Sequence, residues 1–390
     1  MTADHFDVII VGGGPVGMAL AICLHERGVS TLLLEAQGLP EQVKDPRPLA
    51  LSYGSHLILK RLGVWETLPQ ITAIKTIHIS NSSHFGRTVL TSEEAGVPEL
   101  GYVVNYHDLH RSMHQLLQNH GAHYQTGATV SKLTTSTEQA QVEYQQAGEN
   151  KQATAKLLVL ADGGQLATQI ENINYHTYEY QQWAIVANVE TSIPQNGVAY
   201  ERFTADGPVA LLPSGNGYAL VWTVPSLSAQ EILSLDDITF LSRLQDHFGH
   251  RTGKFLSCGK RSGFPLILKY ASPTIASRTV LVGNAAQTLH PVAGQGFNLG
   301  LRDAFELSNA INELPLQFVK IGACEMLKNY KNKRQVDRDA GKLFTHSLAK
   351  IFTSDLPLLQ TFCGMGLSVL DCLPPVKRFV ARRMIFGARG

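Results

Sequence analysis

The chain has 390 residues, 44% of them hydrophobic, and carries 33 Lys and Arg against 32 Asp and Glu, a formal net charge of +1. A balance this close to zero offers no broad basic face for phosphates, which excludes nucleic acid as a partner. The length allows a large core and more than one domain. No stretch of about 18 uncharged apolar residues occurs, so no membrane span is predicted. Five cysteines, Cys23, Cys258, Cys324, Cys363 and Cys372, are scattered without a C-x-x-C pair. They read as reduced core thiols, and with no basic leader before the first apolar run the chain is expected in the cytoplasm.

The first element is an apolar run, Val8-Ile9-Ile10-Val11, which breaks into Gly12-Gly13-Gly14-Pro15-Val16-Gly17 and resumes with helical spacing through Met18, Leu20, Ala21 and Leu24. That is strand, tight turn and helix. Gly12, Gly14 and Gly17 have the G-x-G-x-x-G spacing of a dinucleotide site, with the helix start facing a diphosphate. Ser30 to Glu35 reads as a second strand, and Glu35 falls about 20 residues past the glycines, where a ribose hydroxyl needs an acceptor. From Asp45 to Ser52 two prolines fix an extended loop around Arg47, a cation either aimed at the ligand or solvated. His56 to Leu68 has the apolar side of a helix. Alternation from Ile71 to Leu90 marks an excursion into the sheet of a second domain.

Asp108 to His120 reads as a helix. His107, His110 and His114 share one face of it at i, i+3 and i+7, a spacing compatible with a metal. No acidic or cysteine cluster accompanies them, so no metal is expected and they read as surface or packing histidines. Arg111 in the same helix either contacts the ligand or is solvated. Lys156 to Gly164 is a buried-type strand ending in Asp162-Gly163-Gly164, so Asp162 either points into the ligand crevice or closes an ordinary turn. From Tyr175 to Pro265 short alternating strands separated by turns replace this texture. The expected organisation is α/β. A Rossmann-like domain takes 1–70, 101–174 and 266–330, a mostly antiparallel substrate domain takes 71–100 and 175–265, and a C-terminal helical segment takes 331–390.

The chain then runs Arg278-Thr279-Val280-Leu281-Val282-Gly283-Asn284-Ala285-Ala286, His290-Pro291, and Gly294-Gln295-Gly296-Phe297-Asn298-Leu299-Gly300 to Asp303. A strand ending in Gly-Asn-Ala-Ala, then His-Pro, then Gly-Gln-Gly-x-Asn-x-Gly opening a helix resembles the group A flavoprotein aromatic hydroxylases. Ala50-Leu51-Ser52, Asn188-Val189, Glu201-Arg202-Phe203-Thr204 with Gly207-Pro208, and Lys260-Arg261-Ser262 extend the resemblance to their ubiquinone-biosynthesis branch. The likeness spans most of the chain and is weakest over the last fifty or so residues.

The resemblance implies FAD held by Gly12, Gly14, Gly17, Glu35, Arg47, Arg111, Asp162, Asn284, Pro291, Gly294, Gln295, Gly296 and Asn298. It implies NAD(P)H and O2 as co-substrates and oxygen transfer through a flavin C4a-hydroperoxide to the ring of a polyprenylated phenol, 2-polyprenyl-6-methoxyphenol. Asn284 stands where most of the wider family has Asp, yet an amide oxygen still accepts from a hydroxyl. Gly164-Gln165-Leu166-Ala167-Thr168 departs from the Ser and Arg usual after Asp162-Gly163, so the resemblance leaves the details of nicotinamide handling open. A phenol's ordinary pKa of about 10 calls for a base; His290 either fills that role or holds the Pro291 loop.

A polyprenyl substrate requires a lipid or a lipid-binding partner, since burying each CH₂ is worth about 0.8 kcal/mol. Leu356 to Leu373 is apolar, with Phe362, Met365, Leu367 and Leu370. Lys377, Arg378, Arg382, Arg383 and Arg389 follow, with no acid after Asp371. This suits peripheral contact with the inner face of a membrane or with other ubiquinone-biosynthesis proteins, and equally a helix packed on the protein with a solvated basic end. An isoprenoid reductase or cyclase, and an FAD-stabilised scaffold without catalysis, remain as alternatives. The sequence leaves oligomeric state open.

Overall fold

Val8, Ile9, Ile10 and Val11 are all buried, as in a strand covered on both faces. This strand, Asp4–Val11, lies between Thr31–Glu35 and Glu149–Leu160, parallel to both. His123–Thr126 and Thr279–Leu281 extend the sheet on either side, again in parallel. Helices Pro15–His25, Tyr106–Asn119 and Gln295–Asn312 supply the core on one face, through residues such as Met18, Met113 and Leu307. The antiparallel strands Ala128–Thr135 and Ala140–Gln146 cover the other, with Val130, Leu133 and Val142 against Ile9 and Leu32. The computed structural model describes residues 4–38, 47–82, 86–313, 320–352 and 357–387. Asp45, Pro46, Leu356 and Arg389, and the side chain of Phe362, lie outside the described residues.

A second sheet contains nine strands among the described residues. Asn174–Thr191, Gly217–Pro225, Gly207–Ser214 and Val198–Thr204 pair antiparallel in that order, and Val198–Thr204 pairs in parallel with Thr76–Asn81. Alternation sorts their side chains. Ile185, Val209, Leu211 and Trp222 pack against helices Ser226–Ser234 and Asp237–Phe248, while Ala184, Val186, Ala210 and Leu212 face a cavity on the opposite side. The strand Ser262–Ser272 belongs wholly to this sheet, across the boundary expected at 265. Of the Ile71 to Leu90 stretch, only Thr76–Asn81 and Arg87–Thr91 join it. Thr72–Ile74 forms a separate small sheet with Gly101–Asn105 and Pro48–Ser52, which bridges the two large ones.

Helices Cys324–Phe352, Pro357–Cys372 and Pro374–Phe386 complete the fold and wall the cavity from the side, so the helical segment starts before residue 331. The long helix is anchored on Asp303. Its Oδ1 accepts from Arg334 Nε at 2.7 Å and Arg338 Nε at 3.1 Å, while Oδ2 accepts from Gly283 N and Gln287 Nε2, both at 3.2 Å. All four donors converge on a carboxylate with no exposure, so its charge is balanced within the core. No helix among the described residues is long and apolar enough to cross a membrane.

Candidate active site

A cavity of about 820 Å³ lies where the two large sheets and the C-terminal helices meet. At one end are Gly14, Pro15 and Val16 from the start of the first helix, with Asn284, Pro291, Gly294, Gln295, Gly296 and Asn298 from the second glycine stretch. Two motifs about 270 residues apart thus meet as the doubly wound sheet dictates, at the carboxyl ends of parallel strands. Gly12 sits behind this wall at φ +109°, where a Cβ would lie 2.5 Å from the Ala161 carbonyl carbon. A Cβ on Gly17 would strike the Gly12 carbonyl oxygen, so the helix packs directly on the turn. Gly14 and Gly296 differ: a Cβ on Gly14 meets only the Tyr106 hydroxyl at 3.9 Å, and one on Gly296 meets nothing within 4 Å. Both face open space at a helix start, a cradle shaped for a bulky anionic ligand.

Glu35 ends its strand beside that turn. Its Oε2 accepts the Gly13 N–H at 2.5 Å and its Oε1 the Gln37 N–H at 2.7 Å, leaving further lone pairs for a ribose hydroxyl. Arg47 is exposed at the cavity mouth, its guanidinium 5.6 Å from the Tyr106 ring centroid and 5.3 Å from that of Phe264. Asn284 is exposed into the cavity region. Asn298 is buried, and its amide is fully engaged. Oδ1 accepts from Ser52 N at 2.8 Å and Ser55 Oγ at 2.6 Å, and Nδ2 donates to Ala50 O at 2.9 Å and Gly294 O at 2.7 Å. These four bonds exhaust its side-chain capacity, so Asn298 shapes the wall by pinning the Gly294 turn to the Pro48–Ser52 strand and gives a ligand no free amide.

Six predicted residues fall outside the lining: Gly12 and Gly17 in the turn behind it, Glu35 beside that turn, and Asp162, Arg111 and His290. Asp162 accepts the Gly164 N–H at 2.9 Å and the Leu166 N–H at 2.8 Å, the ordinary turn its sequence allowed. Arg111 is exposed, with its guanidinium 3.9 Å from Asp108, because its position on the helix faces away from the sheet. His290 is fully buried, its Nδ1 accepts the Val292 N–H at 3.3 Å, and its ring stands edge-on to Tyr180 at 4.9 Å. Burial pushes its imidazole down to about 4, so it is neutral near pH 7 and holds the loop that leads to Gly294. His110 and His114 are buried packing residues and His107 is half-buried, with no metal-binding cluster among the described residues. Burial, then His114, lower His110 to about 4, and it hydrogen-bonds the Gly13 backbone beneath the glycine turn.

Beyond the cradle the walls are apolar: Ile79, Ala184 and Leu212 from the second sheet, Phe344 and Leu348 from the long helix, and Leu367, Leu370 and Met384 from the last two. One carboxyl interrupts them among the described residues, that of Glu201. Burial pushes it up to about 7. The sequence carried a trace of it, an acid on the strand face shared with Ala199 and Phe203.

Residues 5–336 match the family model described as FAD binding domain. The chain is 32% identical to the uncharacterized protein slr1300 of Synechocystis, over 98% of this chain and 94% of that one. It is 30% identical to the ubiquinone hydroxylase UbiL of Rhodospirillum rubrum, over 96% and 88%. Among solved structures it shares the fold of a variant of HpxO from Klebsiella pneumoniae complexed with FAD, with a TM-score of 0.77, 16% identity and coverage of 99% and 100%. FAD fits the residues present: the cradle leaves room at Gly14 and Gly296, presents two helix starts and brings an acid to its edge. The chain belongs to the FAD-binding-domain family, as a flavoprotein monooxygenase of the branch that includes the ubiquinone hydroxylases.

Proposed function

We propose that this monooxygenase uses NAD(P)H and O2 to hydroxylate the ring of a polyprenylated phenol, 2-polyprenyl-6-methoxyphenol, in ubiquinone biosynthesis. What carries this reading is the cavity itself, a single space that joins the glycine cradle to a long apolar chamber under the C-terminal helices. A small polar aromatic needs no such chamber, whereas an isoprenoid tail gains from every CH₂ it buries there. Bound FAD supplies the redox chemistry, taking reducing equivalents from the nicotinamide and passing one oxygen atom to the ring.

The chain's own residues bind, orient and exclude water. Gly12, Gly14 and Gly17 bring the first helix start to the diphosphate, and Glu35 takes the ribose. Asn284 accepts from the ribityl chain. The N–H groups of Gln295 and Gly296 stabilise negative charge on the flavin ring, on a turn held by Asn298 and approached by Pro291. Arg47, stacked on Tyr106 and Phe264, closes the mouth. The apolar walls keep water from the reacting centre.

The two last helices supply the route from lipid. Leu367 and Leu370 line the cavity while Met365 and Val369 of the same helix are exposed, as are Val376 and Phe379 of the next, beside Arg378 and Arg383. A helix apolar on both faces, followed by basic residues, suits an anionic membrane surface.

The test is turnover of the purified yellow protein with a short-tailed 2-prenyl-6-methoxyphenol and NADPH or NADH under labelled dioxygen. One labelled oxygen in the product establishes the reading. Flavin reduction without an oxygenated product favours a reductase, and no reduction favours a scaffold.

A further inference from the structure

Ala199, Glu201 and Phe203 alternate along Val198–Thr204, share one face and line the cavity. Phe203 packs with Val292, in the loop before the Gly294 turn. Ala199 packs with Ala381 and Ile385 of the last helix. Glu201 therefore stands between the flavin end and the tail end, roughly 7 Å along the strand from each neighbour. Across the sheet it faces Ile79 and Ala210, which line the cavity and offer no donor. Among the described residues no charge or hydrogen bond perturbs its carboxyl, and burial accounts for its raised pKa. An unpartnered carboxyl on an apolar floor is costly, and leucine would wall the same space without that cost.

We propose that Glu201 receives the phenol hydroxyl of the ring substrate and accepts its proton during oxygen transfer. The phenolic O–H bond breaks, an O–H bond forms on the Glu201 carboxylate, and the released electron pair stays on the phenolate oxygen, where it enriches the ring. Once the ring is oxygenated, the carboxylic acid returns the proton to that oxygen. The inference rests on the phenol-hydroxylase reading. Chemically the match is close: a carboxylate needs only a modest rise above its ordinary range to become an effective acceptor near pH 7.

The experiment compares the FAD-loaded wild type with Glu201→Gln, Glu201→Asp and Glu201→Leu. It reads hydroxylated product per NADPH from about pH 6 to 9, and phenol binding through the change in flavin absorbance. Wild-type product formation is expected to rise through about pH 7. Glu201→Gln, close in size and shape, is expected to keep its flavin and consume NADPH without coupling it to product. It should lose about a hundredfold or more in hydroxylation and lose the pH rise, and Glu201→Asp should restore part of both.

Glutamine and leucine variants that hydroxylate within about threefold of wild type, with its pH profile and affinity, overturn the role of Glu201 and leave the hydroxylase reading standing. A wild type that binds the phenol about tenfold more tightly than Glu201→Leu yet makes no product overturns the hydroxylase reading and the proton transfer, and leaves Glu201 as the group that receives the hydroxyl. A wild type that neither binds nor converts it overturns both. Should the leucine variant lose flavin, the glutamine variant decides.

Discussion

Arg334 Nε donates to Asp303 Oδ1 across 2.7 Å, with both side chains buried. Asp303 opens toward the Gly283 backbone with its other oxygen, so one carboxylate couples the long C-terminal helix to the second glycine stretch. Asp303→Ala is expected to destabilise the protein by about 3–5 kcal/mol, because it removes the carboxylate that buried Arg338 pairs with and leaves buried Arg334 with Asp337 as its anion. Urea unfolding at neutral pH measures this. A loss below about 1 kcal/mol would make the cluster a bystander.

The two leading glycines separate folding from flavin retention. Gly14→Glu places an acid in the open cradle where a Cβ meets only Tyr106 at 3.9 Å, so the variant should fold and lose FAD. Gly12→Val, at φ +109° and 2.5 Å from the Ala161 backbone, should lower the melting temperature of the flavin-free protein as well. The ratio of flavin to protein absorbance and a thermal melt read both. A fully flavinated Gly14→Glu protein would move the diphosphate elsewhere.

Glu201 also makes stability depend on pH. Its carboxyl, raised from 4.5 to about 7, binds its proton more tightly in the folded chain than in the unfolded one. The associated stability is complete below the ordinary carboxylate range and is lost as pH rises through about 7. Glu201→Gln stays neutral throughout, so it should be the more stable protein by about 2–3 kcal/mol near pH 9 and nearly equal to wild type near pH 5. Melts of the flavinated proteins without substrate at both pH values check the sign.

The outer face of the last two helices should hold the protein on vesicles containing anionic lipid. Replacing Arg378 and Arg383 with alanine is expected to weaken that binding by about tenfold or more, at roughly 1 kcal/mol for each basic residue near the surface. Phe379→Asp should weaken it further, and added salt should weaken the wild type. Flotation with equal recovery of all variants would leave these helices as ordinary packing.

Much of the glycine cradle was legible in the sequence because glycine spacing encodes backbone geometry directly. Gly12, Gly14, Glu35, Asn284 and Gly294 lie together at one end of the parallel strands, as their motifs predict. Side-chain roles were less legible, since they depend on which neighbour arrives first. Asn298 is spent on Ala50, Ser52 and Ser55, partners nearly 250 residues away, and on Gly294 one turn back, and His290 on a backbone N–H two residues ahead. Glu201 was hidden for the opposite reason. An acid in an alternating strand reads as solvent-facing until the C-terminal helices, far along the chain, turn that face into an interior.

Those helices have one more consequence. The family match ends at residue 336, yet Phe344, Leu348, Leu367, Leu370, Ala381 and Met384 of the cavity wall all come later. Part of the wall beyond the cradle is therefore written in a stretch separate from the glycine motifs. Selection can lengthen, shorten or reshape the chamber by editing the tail of the sequence while the flavin cradle stays as it is. A chimera that exchanges only the residues after 336 between two such enzymes should exchange their preference for ligand length and keep their cofactor.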